Sequence, residues 1–367
     1  MTRPTFAVFV SPHGFGHAAR ASALMEVLAR RFRARFLVYS TAPGWFFEES
    51  LGTSYRQDPV PTDVGFVQRS ALEHDLAGTV AELECMLPYE TNRLVDSLAR
   101  EVREERCRAV LCDISPMGIA VAERAGVPSV LVENFTWPWL YEPLEEREPA
   151  LAPLSEYLAR WFGRATHHVQ THPLCRRDPE ADLLVAPISR TARGTRAAIR
   201  RDLGIDPERP VVVITLGGVP QALPFVARLE RMSDVAFLVT GAPRTERRGH
   251  VLLFDNRTRV YMPDFVRASD AVVAKLGYST AAEVWREGRP LAVITRSDFR
   301  ETGPLRTWVK RELPGFEIPG ADFGAGDWLD RIPELLGMTP PPFREAGGAE
   351  EVADYLDAAF PWLSGRP

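Results

Sequence analysis

The chain of 367 residues is 45% hydrophobic and 25% charged, an ordinary globular composition that excludes wholesale disorder and leaves room for two or three domains. Its net charge of −5 gives no basic footprint for nucleic acid or an anionic membrane, although peripheral membrane contact stays open. No apolar run approaches the roughly 20 residues that span a bilayer, the N-terminus lacks a signal peptide's apolar stretch, and Cys85, Cys107, Cys112 and Cys175 show no CxxC spacing, so reduced thiols and a cytoplasmic location are expected.

In the first half, strands are predicted at 6–10, 36–39, 109–112, 129–132 and around Val169, alternating with helical segments such as 18–29 and 91–103. Continuously apolar strands between helices imply a parallel sheet covered on both faces. Ligands of such sheets sit beyond the carboxyl ends of the strands, so motifs at strand ends weigh most.

The first strand runs into HGFGH, with His13, Gly14, Gly16 and His17 ahead of a helix. The two glycines allow a tight turn and close backbone approach to a ligand. A dinucleotide fingerprint would need an acidic residue closing the second strand, and FLVYST has none. A zinc reading of His13 and His17 lacks both the Glu of HExxH and a third ligand nearby. His17 then reads as a general base at the sheet crevice, with a helix cap as the plain alternative. Asp113 closes the buried strand RAVLCDISP. It can cap the following helix or accept Nδ1–H from a histidine on a neighbouring loop. On the same rim, Asn134 and Trp137 lie in the loop NFTW, which suits an acceptor with an apolar body or a packed aromatic corner.

A polar, proline-bearing stretch at 171–201 precedes a restart of the pattern, with strands at 211–216, 235–240, 251–254, 260–262, 271–274 and 291–295. The expected fold class is α/β, with two doubly wound domains at 1–185 and 186–345. A final segment, 346–367, carries Val352, Tyr355, Leu356, Ala359 and Phe360 on one helical face that should pack on a domain surface.

In the second domain, Gly217 and Gly218 follow the first strand with backbone N–H groups suited to a phosphate. The stronger signal is AVVAKLGYSTAAE. Lys275 ends a strand, Gly277 turns, and Ser279 and Thr280 open a helix whose hydroxyls, N–H groups and dipole suit a diphosphate. Only two of the 44 basic residues are lysine, Lys275 and Lys310, so a lysine beside that glycine suggests a specific need for an ammonium. Glu283, one turn on, can accept from two ribose hydroxyls. Arg296, Asp298 and Glu301, in TRSDFRE, suit sugar hydroxyls or a charged surface loop.

HGFGHAAR, LCDISP, VENFTWPWLY and KLGYSTAAE together resemble GT-B glycosyltransferases of the peptidoglycan N-acetylglucosaminyltransferase branch. The first half resembles most the glycosyltransferase-like amino-terminal region of L-arabinokinases. The resemblance implies two Rossmann-like domains facing across a cleft. It makes His17 the base and Asp113 its partner, and places diphosphate and ribose contacts on Gly218, Ser279, Thr280 and Glu283. The segment that often ends in Asp-Gln in glucosyltransferases reads Arg-Ser-Asp-Phe-Arg-Glu here, leaving the donor sugar open.

The expectation is an inverting, metal-independent glycosyltransferase. It would use a nucleotide-diphosphate sugar, UDP-linked first of all, as co-substrate, no other cofactor, and a hydroxyl acceptor. A nucleotide-sugar binding protein without transfer activity and a nucleotide-sugar epimerase are the alternatives.

Overall fold

The structure, a computed structural model, describes residues 3–52, 54–70, 73–217, 223–255, 257–295 and 299–364. It divides into two units, Met1–Ser189 with Ala346–Pro367, and Arg190–Glu345.

In the first unit the strands are β1 (Thr5–Val10), β2 (Arg35–Tyr39), β3 (Tyr55–Asp58), a small antiparallel pair β4 (Gln68–Ser70) and β5 (Glu73–His74), then β6 (Ala109–Asp113), β7 (Ser129–Glu133), β8 (His167–Thr171) and β9 (Leu183–Val185). Seven of them form one parallel sheet in the order β3-β2-β1-β6-β7-β8-β9. Its central strands are buried on both faces, which is why β1, β6 and β7 read as unbroken apolar runs. Phe6, Val8 and Val10 share a core with Leu24 and Leu28 of helix Phe15–Phe32. The same core contains Val352, Leu356 and Phe360, so helix Gly348–Ala359 completes this unit although the whole second unit precedes it in the chain.

The second unit contributes β10 (Val211–Thr215), β11 (Ala236–Ala242), β12 (Glu246–Arg248), β13 (Val251–Asp255), β14 (Ala271–Lys275), β15 (Leu291–Thr295) and β16 (Glu317–Pro319). The order is β12-β13-β11-β10-β14-β15-β16, parallel except for β12. No strand forms at 260–262: helix Met262–Ala268 begins there instead. Pro263 cannot donate to a ladder and its fixed φ suits a first helical turn. Tyr261, apolar enough to read as strand, turns its hydroxyl to the Thr191 carbonyl at 3.0 Å.

Both sheets have a topological switch point. The chain builds outward from β1 and returns at β6 on its other side. β10 and β14 stand in the same relation. Loops following such a pair leave a crevice at their carboxyl ends, where doubly wound sheets bind ligands. Among the described residues no helix is long and apolar enough to cross a membrane, and none of the four cysteines forms a disulfide.

Candidate active site

At the first switch point, Val10 pairs with Asp113, and Asp113 with Val132. The ends of β1, β6 and β7 are therefore adjacent, and their loops converge. Gly14 caps helix Phe15–Phe32 with φ 87°, a left-handed conformation that glycine adopts without strain. That turn places His17 in the first helical turn and Arg20 one turn later, three residues apart and so on one face. Small neighbours, Ala18, Ala19 and Ala21, let this face lie close on the sheet.

His17 Nδ1 lies 2.8 Å from Asp113 Oδ1. Arg20 grips the same carboxylate twice, Nε to Oδ2 at 2.7 Å and Nη2 to Oδ1 at 2.8 Å. Its remaining nitrogen, Nη1, donates to Asn134 Oδ1 at 2.5 Å. All four side chains are buried: Asp113 is 4% exposed, Arg20 2%, Asn134 1% and His17 8%. Burial alone would raise the Asp113 carboxyl, but the Arg20 guanidinium and His17 outweigh it and hold it below the usual carboxylate range. An ionised carboxylate only accepts, so the 2.8 Å contact requires the proton on Nδ1 of His17. Nε2 is left as the lone-pair nitrogen, the arrangement of an oriented general base. Directly after Asp113, Ile114 takes φ 46°, a costly conformation for a β-branched residue, at the point where the chain leaves β6.

A second network supports the glycine loop. Asp63 accepts from Ser11 Oγ at 3.1 Å and from Trp137 Nε1 at 3.3 Å, and Ser11 Oγ also receives the His13 N–H at 3.3 Å. Burial pushes the Asp63 carboxyl up to about 7. His13 packs edge-on against Trp137, with ring centroids 5.4 Å apart. Burial, and then the neighbouring His17 and His74, lower its pKa to about 4, so His13 is neutral at physiological pH. A Cβ at Gly65, whose φ is +57°, would come within 2.9 Å of His13 Nδ1 and 3.0 Å of Trp137 Cη2, which explains glycine there. The sequence places Asn134 and Trp137 on a loop that suits either an acceptor or a packed aromatic corner. In the structure both are almost fully buried, Asn134 holding Arg20 and Trp137 holding Asp63. Of the loop residues, Gly14 and its neighbour Phe15 are the exposed ones.

At the second switch point, Gly217 follows β10 with φ +72°. Lys275 ends β14, and its Nζ lies about where it would stand 3.7 Å from a Cβ added to Gly217. Helix Tyr278–Glu287 opens at Gly277 with no side-chain cap. Ser279 and Thr280 sit half-buried in its first turn. Glu283 lies one turn further along that face, 2% exposed, and takes Arg190 Nε and Nη2 at 3.0 Å each. Burial raises the Glu283 carboxyl and Arg190 opposes that rise. Glu301 immediately precedes helix Thr302–Glu312, makes no side-chain capping bond to it, and is half-buried. Gly218, Arg296 and Asp298 lie outside the described residues. Among the described residues, no group of three or more His, Cys, Asp or Glu side chains is placed to hold a metal ion.

Sequence reasoning missed Arg20, Asp63 and Arg190. For Arg20 a signal was available: a lone arginine three residues after His17, in the alanine-rich face of HAARASALM.

No family model matches the chain. L-arabinokinase of Arabidopsis thaliana is 25% identical over 349 residues, which is 91% of this chain and 32% of that protein, so the chain spans about a third of the relative's length. The fold is that of the GT-B glycosyltransferases. The glycosyltransferase SnogD of Streptomyces nogalater superposes with a TM-score of 0.57 at 17% identity, covering 97% of this chain and 99% of that one. UGT89C1 of Arabidopsis thaliana, solved with UDP, gives 0.60 at 15% identity over 97% and 99%. The glycotransferase of kitacinnamycin gives 0.60 at 15% identity over 99% and 96%.

Proposed function

We propose that this protein is a cytoplasmic, metal-independent, inverting glycosyltransferase that moves a sugar from a nucleoside-diphosphate donor, UDP-linked first of all, to an acceptor hydroxyl. The observation that carries this reading is His17, pinned through Nδ1 by a buried, ionised Asp113 at the switch point, with Nε2 left as base. Support from likeness is of the fold, together with SnogD and UGT89C1, which are glycosyltransferases by name, the latter solved with UDP. KLGYSTAAE keeps the peptidoglycan N-acetylglucosaminyltransferase branch as the finer affiliation.

In the proposed step, His17 Nε2 takes the proton of the acceptor hydroxyl as its oxygen attacks the anomeric carbon. The bond from that carbon to the diphosphate oxygen breaks, and its electron pair leaves with the diphosphate. Attack opposite the leaving group inverts the anomeric centre. Asp113 stabilises the imidazolium so formed, and Arg20 fixes Asp113. The Lys275 ammonium, the N–H groups of the helix start after Gly277 and the Ser279 and Thr280 hydroxyls receive the developing diphosphate charge, with Gly217 and Gly218 as further backbone contacts. Glu283 reads the ribose, while Arg296, Asp298 and Glu301 are assigned to the donor sugar. A fixed field of this kind does the work a divalent cation does elsewhere.

Donor binding is checked by melting. A ligand at 100 times its Kd adds about 2.7 kcal/mol, enough to raise Tm by several degrees. UDP or a UDP-sugar should do so, and Glu283→Ala should diminish the shift. Failure of every nucleoside diphosphate and its sugars to move Tm would refute the donor assignment.

A further inference from the structure

Phe15, in the glycine loop at the first switch point, is 38% exposed, where most phenyl rings of this chain are buried. An exposed aromatic side chain beside a crevice marks a contact surface more often than chance. Its ring is held in place from one side. It stacks on buried Phe46, with centroids 5.4 Å apart and planes 7° apart. Half-buried Trp45 stands 5.9 Å from Phe15 and 5.4 Å from Phe46, so it flanks the stack and does not close it. The face of Phe15 turned away from Phe46 is left as a small platform, two residues before His17.

Gly16 adds an independent sign. Unlike Gly14, it has no positive φ, and it lies inside helix Phe15–Phe32. A Cβ there would meet nothing within 4 Å. Among the described residues, then, neither backbone conformation nor packing calls for glycine at 16, and alanine is the better helix former. The space between Phe15 and His17 is kept clear for a group from outside the chain. Polar side chains stand at the same rim: Thr41 is exposed after β2, and exposed Glu48 lies three residues after Trp45, on its helical face.

We propose that Phe15, flanked by Trp45, is the platform that receives the acceptor, and that the acceptor is a pyranose sugar stacked by its C–H face, with one hydroxyl passed over Gly16 to His17. The inference rests on the transferase reading above and names its acceptor. It moves acceptor contact from Asn134 and Trp137, which are buried, to Phe15 and Trp45. A one-sided platform covers one face of its ligand. A pyranose has a face of C–H groups to lay on the rings, while its hydroxyls point outward at the edge, within the chemistry of Thr41 and Glu48. A flat phenolic body would leave its second apolar face in water. The Glu48 carboxylate opposes the anionic headgroups of a membrane surface.

Saturation-transfer NMR on the whole protein reads binding without requiring transfer. The probes are methyl β-glucoside, methyl β-galactoside, cellobiose and diacetylchitobiose, with 4-nitrophenol as the phenolic arm. Co-sedimentation with phosphatidylglycerol vesicles is the membrane arm. At least one saccharide should bind wild type, its C–H protons receiving the most saturation and moving upfield over the ring. Phe15→Ala should weaken that binding about 2- to 12-fold, the range of an aromatic contact, and Phe15→Tyr should stay within about twofold of wild type. Gly16→Ala should lose most of the binding while its Tm stays at or above the wild-type value, so the result does not depend on Phe15→Ala folding. In UDP release with the same saccharide, Phe15→Ala should raise KM more than it lowers kcat. Undiminished saccharide affinity in Phe15→Ala or Gly16→Ala overturns the platform. Binding of 4-nitrophenol or vesicles without any saccharide overturns the acceptor class. A saccharide that binds through Phe15 yet elicits no UDP release supports the platform and overturns the transferase reading on its own.

Discussion

Replacing His17 by alanine is expected to lower turnover by about 10²–10⁴-fold, the usual contribution of a positioned general base. A hydroxyl attacking an anomeric carbon must lose its proton near neutral pH, and histidine is the side chain whose ordinary range lies there. Asp113 fixes the useful tautomer across 2.8 Å, so Nε2, not Nδ1, holds the lone pair. Asp113→Asn should also lower turnover, since an amide can offer its own N–H to Nδ1 and so favour the opposite tautomer. The two losses should not add, because each substitution disables the same unit. Nucleotide affinity should stay at the wild-type value in both variants, as the residues assigned to the nucleotide belong to the other unit. Steady-state rates and calorimetric Kd values for the three proteins check this. A fully active His17→Ala protein would return His17 to the status of a helix residue without chemistry.

Arg20→Met should cost about 3–5 kcal/mol of folding stability, the magnitude seen when one partner of a buried ion pair is removed. Methionine fills much of the volume, but it strands the Asp113 carboxylate at 4% exposure and leaves Asn134 Oδ1 without its donor. Urea unfolding at pH 7 reads this loss directly. The pH dependence has a definite sign. The carboxyl of Asp113 is held below its ordinary value, so the pair's contribution is complete above about pH 4 and is lost as pH falls through the depressed value. In Arg20→Met the carboxyl loses its main depressing charge and burial raises it, so the gap between wild type and variant should narrow as pH falls from the variant's raised value through the wild type's depressed one. Adding Asp113→Asn to Arg20→Met should restore part of the stability, because the lone charge disappears with it. A stability change within about 0.5 kcal/mol, typical of a surface substitution, would contradict the buried pair.

Much of this arrangement was legible in the sequence, for physical reasons. Strands buried on both faces have no polar side to show, so β1, β6, β10 and β14 stand out as apolar runs. Half-exposed edges do not: β3 reads YRQD and β12 reads ERR. The region at 260–262 has a strand's composition, and only Pro263 betrays the helix that replaces it. His17 and Asp113 were legible because glycines and strand ends mark where a doubly wound sheet exposes chemistry. Arg20 and Arg190 were not, because a charged side chain is normally read as solvated. Their buried state depends on carboxylates 93 residues away in each case, Asp113 and Glu283. Asp63 was hidden in the same way: PTDVG looks like a turn, and its partners Ser11 and Trp137 come from distant loops. Trp137 lies in a loop whose composition suits an acceptor or a packed aromatic corner, and its burial and its bond to Asp63 follow the second description.

The most direct test of sugar transfer is the release of UDP from UDP-sugars in the presence of EDTA, followed with and without a panel of sugar and phenolic hydroxyl acceptors. The proposed mechanism predicts release that depends on the acceptor, persists in EDTA and disappears in His17→Ala. A wild-type protein that binds a UDP-sugar yet releases no UDP with any acceptor would contradict it.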